Sequence, residues 1–170
     1  IEHEGTYPLP HAELDRFMIK MDLGYPEEEA EMDLLKLSQD PASELDPVVG
    51  LEEFLEMRRL VEEVYASEAV LRYVVSVASA TREHDEVYLG ASPRASRMLL
   101  SASKARAAAS GRSYCAPDDV KAMAPFVLSH RIIVSSSAQG SDNGFLGGSG
   151  GVAEGIVREI LRSVPVTEAV

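Results

Sequence analysis

Residues 90–95 read Gly90-Ala91-Ser92-Pro93-Arg94-Ala95, and this stretch sets the start of a helix. Ser92 is a favoured N-cap, because its side-chain oxygen can accept a backbone N–H that has no partner within the helix. Pro93 fits the first helical turn, where a missing N–H costs nothing and the fixed φ is already helical. Downstream, Met98, Leu99, Ala102 and Ala109 recur at helical spacing, and Gly111 is a matching stop. The stretch therefore predicts a helix over residues 93–110. It also places Arg94 in a first turn, where free N–H groups and the helix dipole already make the site positive. A guanidinium belongs there if an anion shares the spot. The alternative is an ordinary solvated Arg near a cap. Arg97, one turn on, points to a similar face.

Further helices follow from the same periodicity. Residues 51–65 place Leu51, Phe54, Leu55, Val61 and Val64 along one stripe, and residues 68–82 do so with Leu71, Val74, Val75 and Ala78. Pro117-Asp118-Asp119 opens a helix over residues 117–129, with Val120, Met123, Ala124, Val127 and Leu128 as its apolar face. Residues 132–134 suit a short extended segment. A last helix, over about residues 152–163, presents Ile156, Val157, Ile160 and Leu161. The Ser/Gly-rich residues 135–151 read as an insert.

The N-terminal part is different in kind. Phe17, Ile19, Met21 and Leu23 alternate with Met18, Lys20 and Asp22, a period of two that predicts a strand. A lone strand needs sheet partners, so they are expected upstream. Gly24-Tyr25-Pro26 ends it, and an acidic helix runs from Pro26 to about Leu37. Arg16 stands just before the strand, in Leu14-Asp15-Arg16-Phe17. It can project toward a neighbouring subunit's phosphate, as arginine fingers do, or it can simply pair with Asp15.

Charge and composition exclude several classes. The net charge is −12, with 19 Asp and Glu against 5 Lys and Arg in residues 1–68. Such a surface argues against nucleic acid and against anionic membranes as partners. The lone Cys115 rules out an internal disulfide. His3, His11, His84 and His130 lack metal-ligand spacing. Residues 147–151 match G-x-S-x-G, and residues 148–153 match a dinucleotide fingerprint, but neither has the required strand and partner residues. No G-x-x-x-x-G-K-[ST] phosphate loop occurs.

Several stretches together resemble the MoxR-type AAA+ ATPases. They are Glu4-Gly5-Thr6-Tyr7-Pro8-Leu9-Pro10, Leu14-Asp15-Arg16-Phe17, Gly24-Tyr25-Pro26, Ala80-Thr81-Arg82 and Gly90-Ala91-Ser92-Pro93-Arg94-Ala95. Gly111-Arg112, Pro117-Asp118-Asp119-Val120 and Val127-Leu128-Ser129-His130-Arg131 continue the pattern, and Val164-Pro165-Val166 is similar to the family's ending. The resemblance implies a mainly α chain: the terminal strand and arginine-finger loop of a truncated α/β AAA+ core, followed by a helical-bundle lid. It divides the chain into residues 1–38 (end of the core), 39–50 (linker) and 51–170 (lid, with the insert at 135–151). It makes Arg16 the finger that reaches the adjacent subunit's ATP, and Arg94 the second sensor, which contacts nucleotide within its own subunit. It implies ATP and magnesium in the parent protein, with none bound by this chain alone. It also implies a hexameric ring, chaperone-like work on partners carrying von Willebrand A domains, and a cytoplasmic setting. The opening at Ile1, without Met, reads as a fragment. The rival expectation is a non-catalytic helical interaction module.

Overall fold

The computed structural model describes residues 9–36, 46–136 and 148–166. Residues 4–8 of the Glu4–Pro10 stretch, residues 37–38 at the end of the expected acidic helix, residues 39–45 of the expected linker and residues 137–147 of the expected insert lie outside them.

The described chain is mainly helical. Helices α1 (His11–Leu14) and α2 (Glu28–Lys36) precede α3 (Leu51–Glu63), α4 (Glu68–Glu83), α5 (Pro93–Ala109), α6 (Pro117–Leu128) and α7 (Gly148–Ser163). Strands β1 (Val87–Leu89) and β2 (Ile133–Val134) pair antiparallel, with Val87 opposite Val134. This short ribbon ties the end of α4 to the end of α6. No helix among the described residues is long and apolar enough to cross a membrane.

The core lies between α4, α5, α6 and α7. Val77, Leu99, Val120, Val127, Leu128 and Val157 are all fully buried there. Apolar burial at about 25 cal/mol per Å² is the main term holding such a bundle together. The expected faces of α6 and α7 are the ones buried. The face of α4 is borne out at Val74 and Ala78 but not at Leu71 and Val75. Its inward residues are Val70, Tyr73, Val74, Val77, Ala78 and Thr81, whereas Leu71 and Val75 are exposed. Both faces of α4 carry β-branched residues, so periodicity alone mistakes the register by one position.

Helix α3 departs further. Its stripe Leu51, Phe54 and Leu55 is half exposed or more, and only Val64, at its end, is buried. What holds α3 is its C-terminal end. Tyr65 N–H donates to Ser113 O at 2.9 Å, Cys115 N–H donates to Tyr65 O at 2.8 Å, and Lys104 Nζ donates to Glu62 O at 3.1 Å.

The strand expected over residues 17–23 does not form. The segment makes one backbone bond to the bundle, Lys20 N–H to Phe126 O at 2.9 Å, and Phe17, Met21 and Leu23 stay exposed. Alternation supplies an apolar face, but a strand also needs a ladder, and the described residues offer it none. Gly24, expected to end that strand, adopts a positive φ of 68°. Residues 148–151, expected in the loose insert, instead form the first turn of α7.

Candidate nucleotide-contacting site

The lead into α5 is built by two distant stretches that interlock. Thr81 is fully buried on α4; its Oγ1 donates to Ala78 O at 2.6 Å and accepts the Ala91 N–H at 2.9 Å. Arg82 Nε donates to Ala91 O at 2.8 Å. Both backbone groups of Ala91 are thus satisfied by side chains from one turn of α4, as buried peptide groups require. Gly90 lets the two approach: a Cβ there would lie 2.6 Å from Arg82 Cγ and 2.7 Å from its Cα. Ala80-Thr81-Arg82 and Gly90-Ala91-Ser92 are therefore one structural unit.

Ser92 then caps α5 as expected, accepting the Ala95 N–H at 3.3 Å. Its hydroxyl donates in turn to Asp15, at 3.0 Å from Oδ1 and 3.1 Å from Oδ2. Arg94 stands in the first turn with its side chain 55% exposed, and its Nη1 lies 3.8 Å from Asp15 Oδ2. The anion anticipated beside this helix start is thus present, and it is Asp15. Its carboxylate offsets both the dipole and the guanidinium.

Arg94, Pro93, Arg97, Met98 and Ser101 line an open concavity of about 480 Å³. Two guanidiniums and a helix N-terminus on one concave wall suit a polyanion such as a phosphate chain. None of the residues lining it is a carboxylate.

Arg16 is exposed at the end of α1 and forms no ion pair among the described residues. Its neighbours are held firmly. Arg131, whose side chain is fully buried, places Nε 3.3 Å from Asp15 Oδ1. Its guanidinium donates to the carbonyls of Asp15, Phe17 and Met18, and to Val127 O. Burial pulls the Arg131 pKa down, while Asp15 opposes that shift. His130 Nε2 adds a 3.1 Å contact to Phe17 O, and burial lowers its pKa. The structure therefore joins Arg16 and Arg94 through the residue between them, Asp15. The reading of Asp15 as a local partner of Arg16 is replaced by one that spans 77 residues.

Thr81, Arg82 and Arg131 stand within the stretches that resemble the family, but the sequence alone assigned them no role. For Thr81 the signal was a polar side chain in the otherwise apolar buried stripe of α4. A second interlock lies across the bundle. Arg112 donates to Asp119 at 2.8 and 2.6 Å, and Asp119 also accepts the Ala116 N–H at 2.9 Å and sits 3.4 Å from Arg106 Nε. This explains why Gly111-Arg112 and Pro117-Asp118-Asp119 occur together. The charged hydrogen bonds from Arg112 hold the Asp119 carboxyl below the usual carboxylate range.

Comparison with known proteins identifies the family. The AAA lid domain family model matches residues 79–145, the span that holds the α5 start. A crystal structure of a candidate ATPase from Cytophaga hutchinsonii superposes with a TM-score of 0.84 at 32% identity, covering 99% of this chain and 52% of that one. The uncharacterized protein YeaC of Bacillus subtilis is 41% identical over 98% of this chain and 50% of its own length. Chaperone MoxR1 of Mycobacterium tuberculosis is 34% identical over 81% of this chain and 39% of its own length. The class is thus an AAA+ lid on a mainly helical scaffold. Within that class, the chain is of the MoxR type and corresponds to the C-terminal, lid-bearing portion of such a protein. It spans about half the length, or less, of the curated relatives it matches.

Proposed function

We propose that this chain supplies the second sensor, Arg94, and the arginine finger, Arg16, of a MoxR-type ATPase. That enzyme couples ATP binding and hydrolysis to chaperone-like remodelling or maturation of partner proteins. The observation that carries the reading is the concavity at the start of α5, where Arg94 and Arg97 share a wall at the positive end of the helix dipole. Preorganised positive groups of this kind stabilise charge that develops on transferring phosphates. ATP would lie against this wall with its terminal phosphates near Arg94. Magnesium would be held by carboxylates outside this chain.

Arg16, exposed and without a carboxylate of its own among the described residues, is the group free to reach a neighbouring protomer. A finger acting in trans requires a homo-oligomer, and a hexameric ring is the arrangement we assign. Partners with von Willebrand A domains and a cytoplasmic setting complete the reading. The name chaperone borne by the MoxR1 relative supports the remodelling role.

The test is ATP turnover by the full-length protein. Arg16→Ala should abolish most turnover yet leave nucleotide affinity near normal, because the finger serves the next subunit. Unchanged turnover would count against the finger.

One observation favours a second reading. Leu51, Phe54 and Leu55 expose an apolar face on α3, as a helical protein-interaction module would. In that case both arginine variants would leave every nucleotide-dependent property untouched.

A further inference from the structure

The Asp15 carboxylate is where Arg94 and Arg131 meet, and its environment is unusual for a residue on a short connecting segment. Its carboxylate takes the Ser92 hydroxyl at 3.0 Å, faces Arg94 Nη1 at 3.8 Å and faces Arg131 Nε at 3.3 Å. These partners differ in strength. Arg131 is wholly buried and also grips the carbonyls on both sides of Arg16, at Asp15 and Phe17. Arg94 is 55% exposed and its contact is long. Exposed pairs of that geometry contribute little. A phosphate, with more charge and room for a bidentate contact, is the stronger partner for the same guanidinium.

We infer that Asp15 is a positioning residue: it holds Arg94 while nucleotide is absent and competes with phosphate for it, latching the segment that carries Arg16 onto the start of α5. The inference rests on the proposed ATPase reading. When Arg94 turns to phosphate, Asp15 keeps Ser92 and Arg131 but loses one counter-charge, one residue from Arg16. Nucleotide occupancy on one protomer is thereby felt at the group that serves the next.

The experiment is a double-mutant cycle in the full-length protein, reading affinity for the non-hydrolysable ATP analogue AMP-PNP. Asp15→Asn keeps an acceptor for Ser92 but removes the charge that competes for Arg94. It should tighten AMP-PNP binding by about two- to fivefold, the range that exposed ion pairs span. In an Arg94→Ala background the same substitution should change nothing. A general structural effect of Asp15→Asn would persist in both backgrounds, and that result overturns the inference. So does unchanged affinity in the Arg94 background when Arg94→Ala alone weakens binding. If Arg94→Ala alone leaves AMP-PNP affinity unchanged, the sensor reading itself falls, and the latch with it.

Discussion

Thr81 Oγ1 accepts the Ala91 N–H at 2.9 Å, and this single bond from α4 sets where α5 begins. Thr81 is fully buried, so removing the hydroxyl leaves a donor that water cannot reach. Thr81→Val keeps the shape and loses only that oxygen. It should cost about 1–3 kcal/mol of stability, the penalty for one buried unsatisfied group. Thr81→Ser should recover most of it. Urea unfolding of the three proteins checks the order, and equal midpoints for Thr81→Val and wild type would refute the argument.

The Arg112–Asp119 pair makes an acid-dependent contribution. The Asp119 pKa is lowered in the folded protein, chiefly by the Arg112 hydrogen bonds. A depressed carboxyl stabilises the fold above its unfolded value, about pH 4. That stabilisation fades as pH falls through the folded pKa. Asp119→Asn should therefore lower the Tm by roughly 5–10 °C near neutrality. The gap between variant and wild type should narrow as pH falls below the unfolded Asp value of about 4. A gap that stays constant below that pH would show that the Asp119 charge is not what matters.

Cys115 should be chemically quiet. It is buried behind the Tyr65–Cys115 backbone link, and burial pushes its thiol up to about 11. At pH 8 only about one thiol in a thousand is then thiolate, the reactive form. Ellman's reagent should label the native protein far more slowly than protein unfolded in guanidinium. Comparable rates in the two states would mean that the end of α3 opens readily.

Much of the lid is legible in the sequence because its signals are local. Ser92-Pro93, Gly111 and Pro117-Asp118-Asp119 mark helix ends through chemistry within one turn, and α5 and α6 begin and end where those residues say. Burial is another matter. Periodicity shows that a helix has an apolar face, not that anything covers it, so α3 reads like α6 although its stripe is exposed. Residues 17–23 alternate as a strand does, but pairing is a property of two segments and only one was in view. The site divides the same way. Arg94 is readable from its cap. Asp15 is not, because its partners Ser92 and Arg131 lie 77 and 116 residues away in sequence.

Arg94 allows the sharpest test, because the structure changes which control is informative. Arg97 shares the helix face and also lines the same concavity, so it is not a neutral comparison. Arg158, exposed on α7 and paired with Glu154 at 2.5 Å, is the neutral one. In the full-length protein, Arg94→Ala should reduce ATP turnover by at least about tenfold, the loss of a charge-assisted contact worth roughly 1.5–3 kcal/mol. Arg97 stands a turn farther from the start of the helix, so Arg97→Ala should cost less. Arg158→Ala should cost nothing in turnover. Stability should barely change in Arg94→Ala, since among the described residues the only ion pair it removes is the long contact to Asp15. If Arg97→Ala loses more turnover than Arg94→Ala at equal Tm, the phosphate contact lies one turn farther along α5. The sensor role then moves to Arg97, and Asp15 has no competitor to hold.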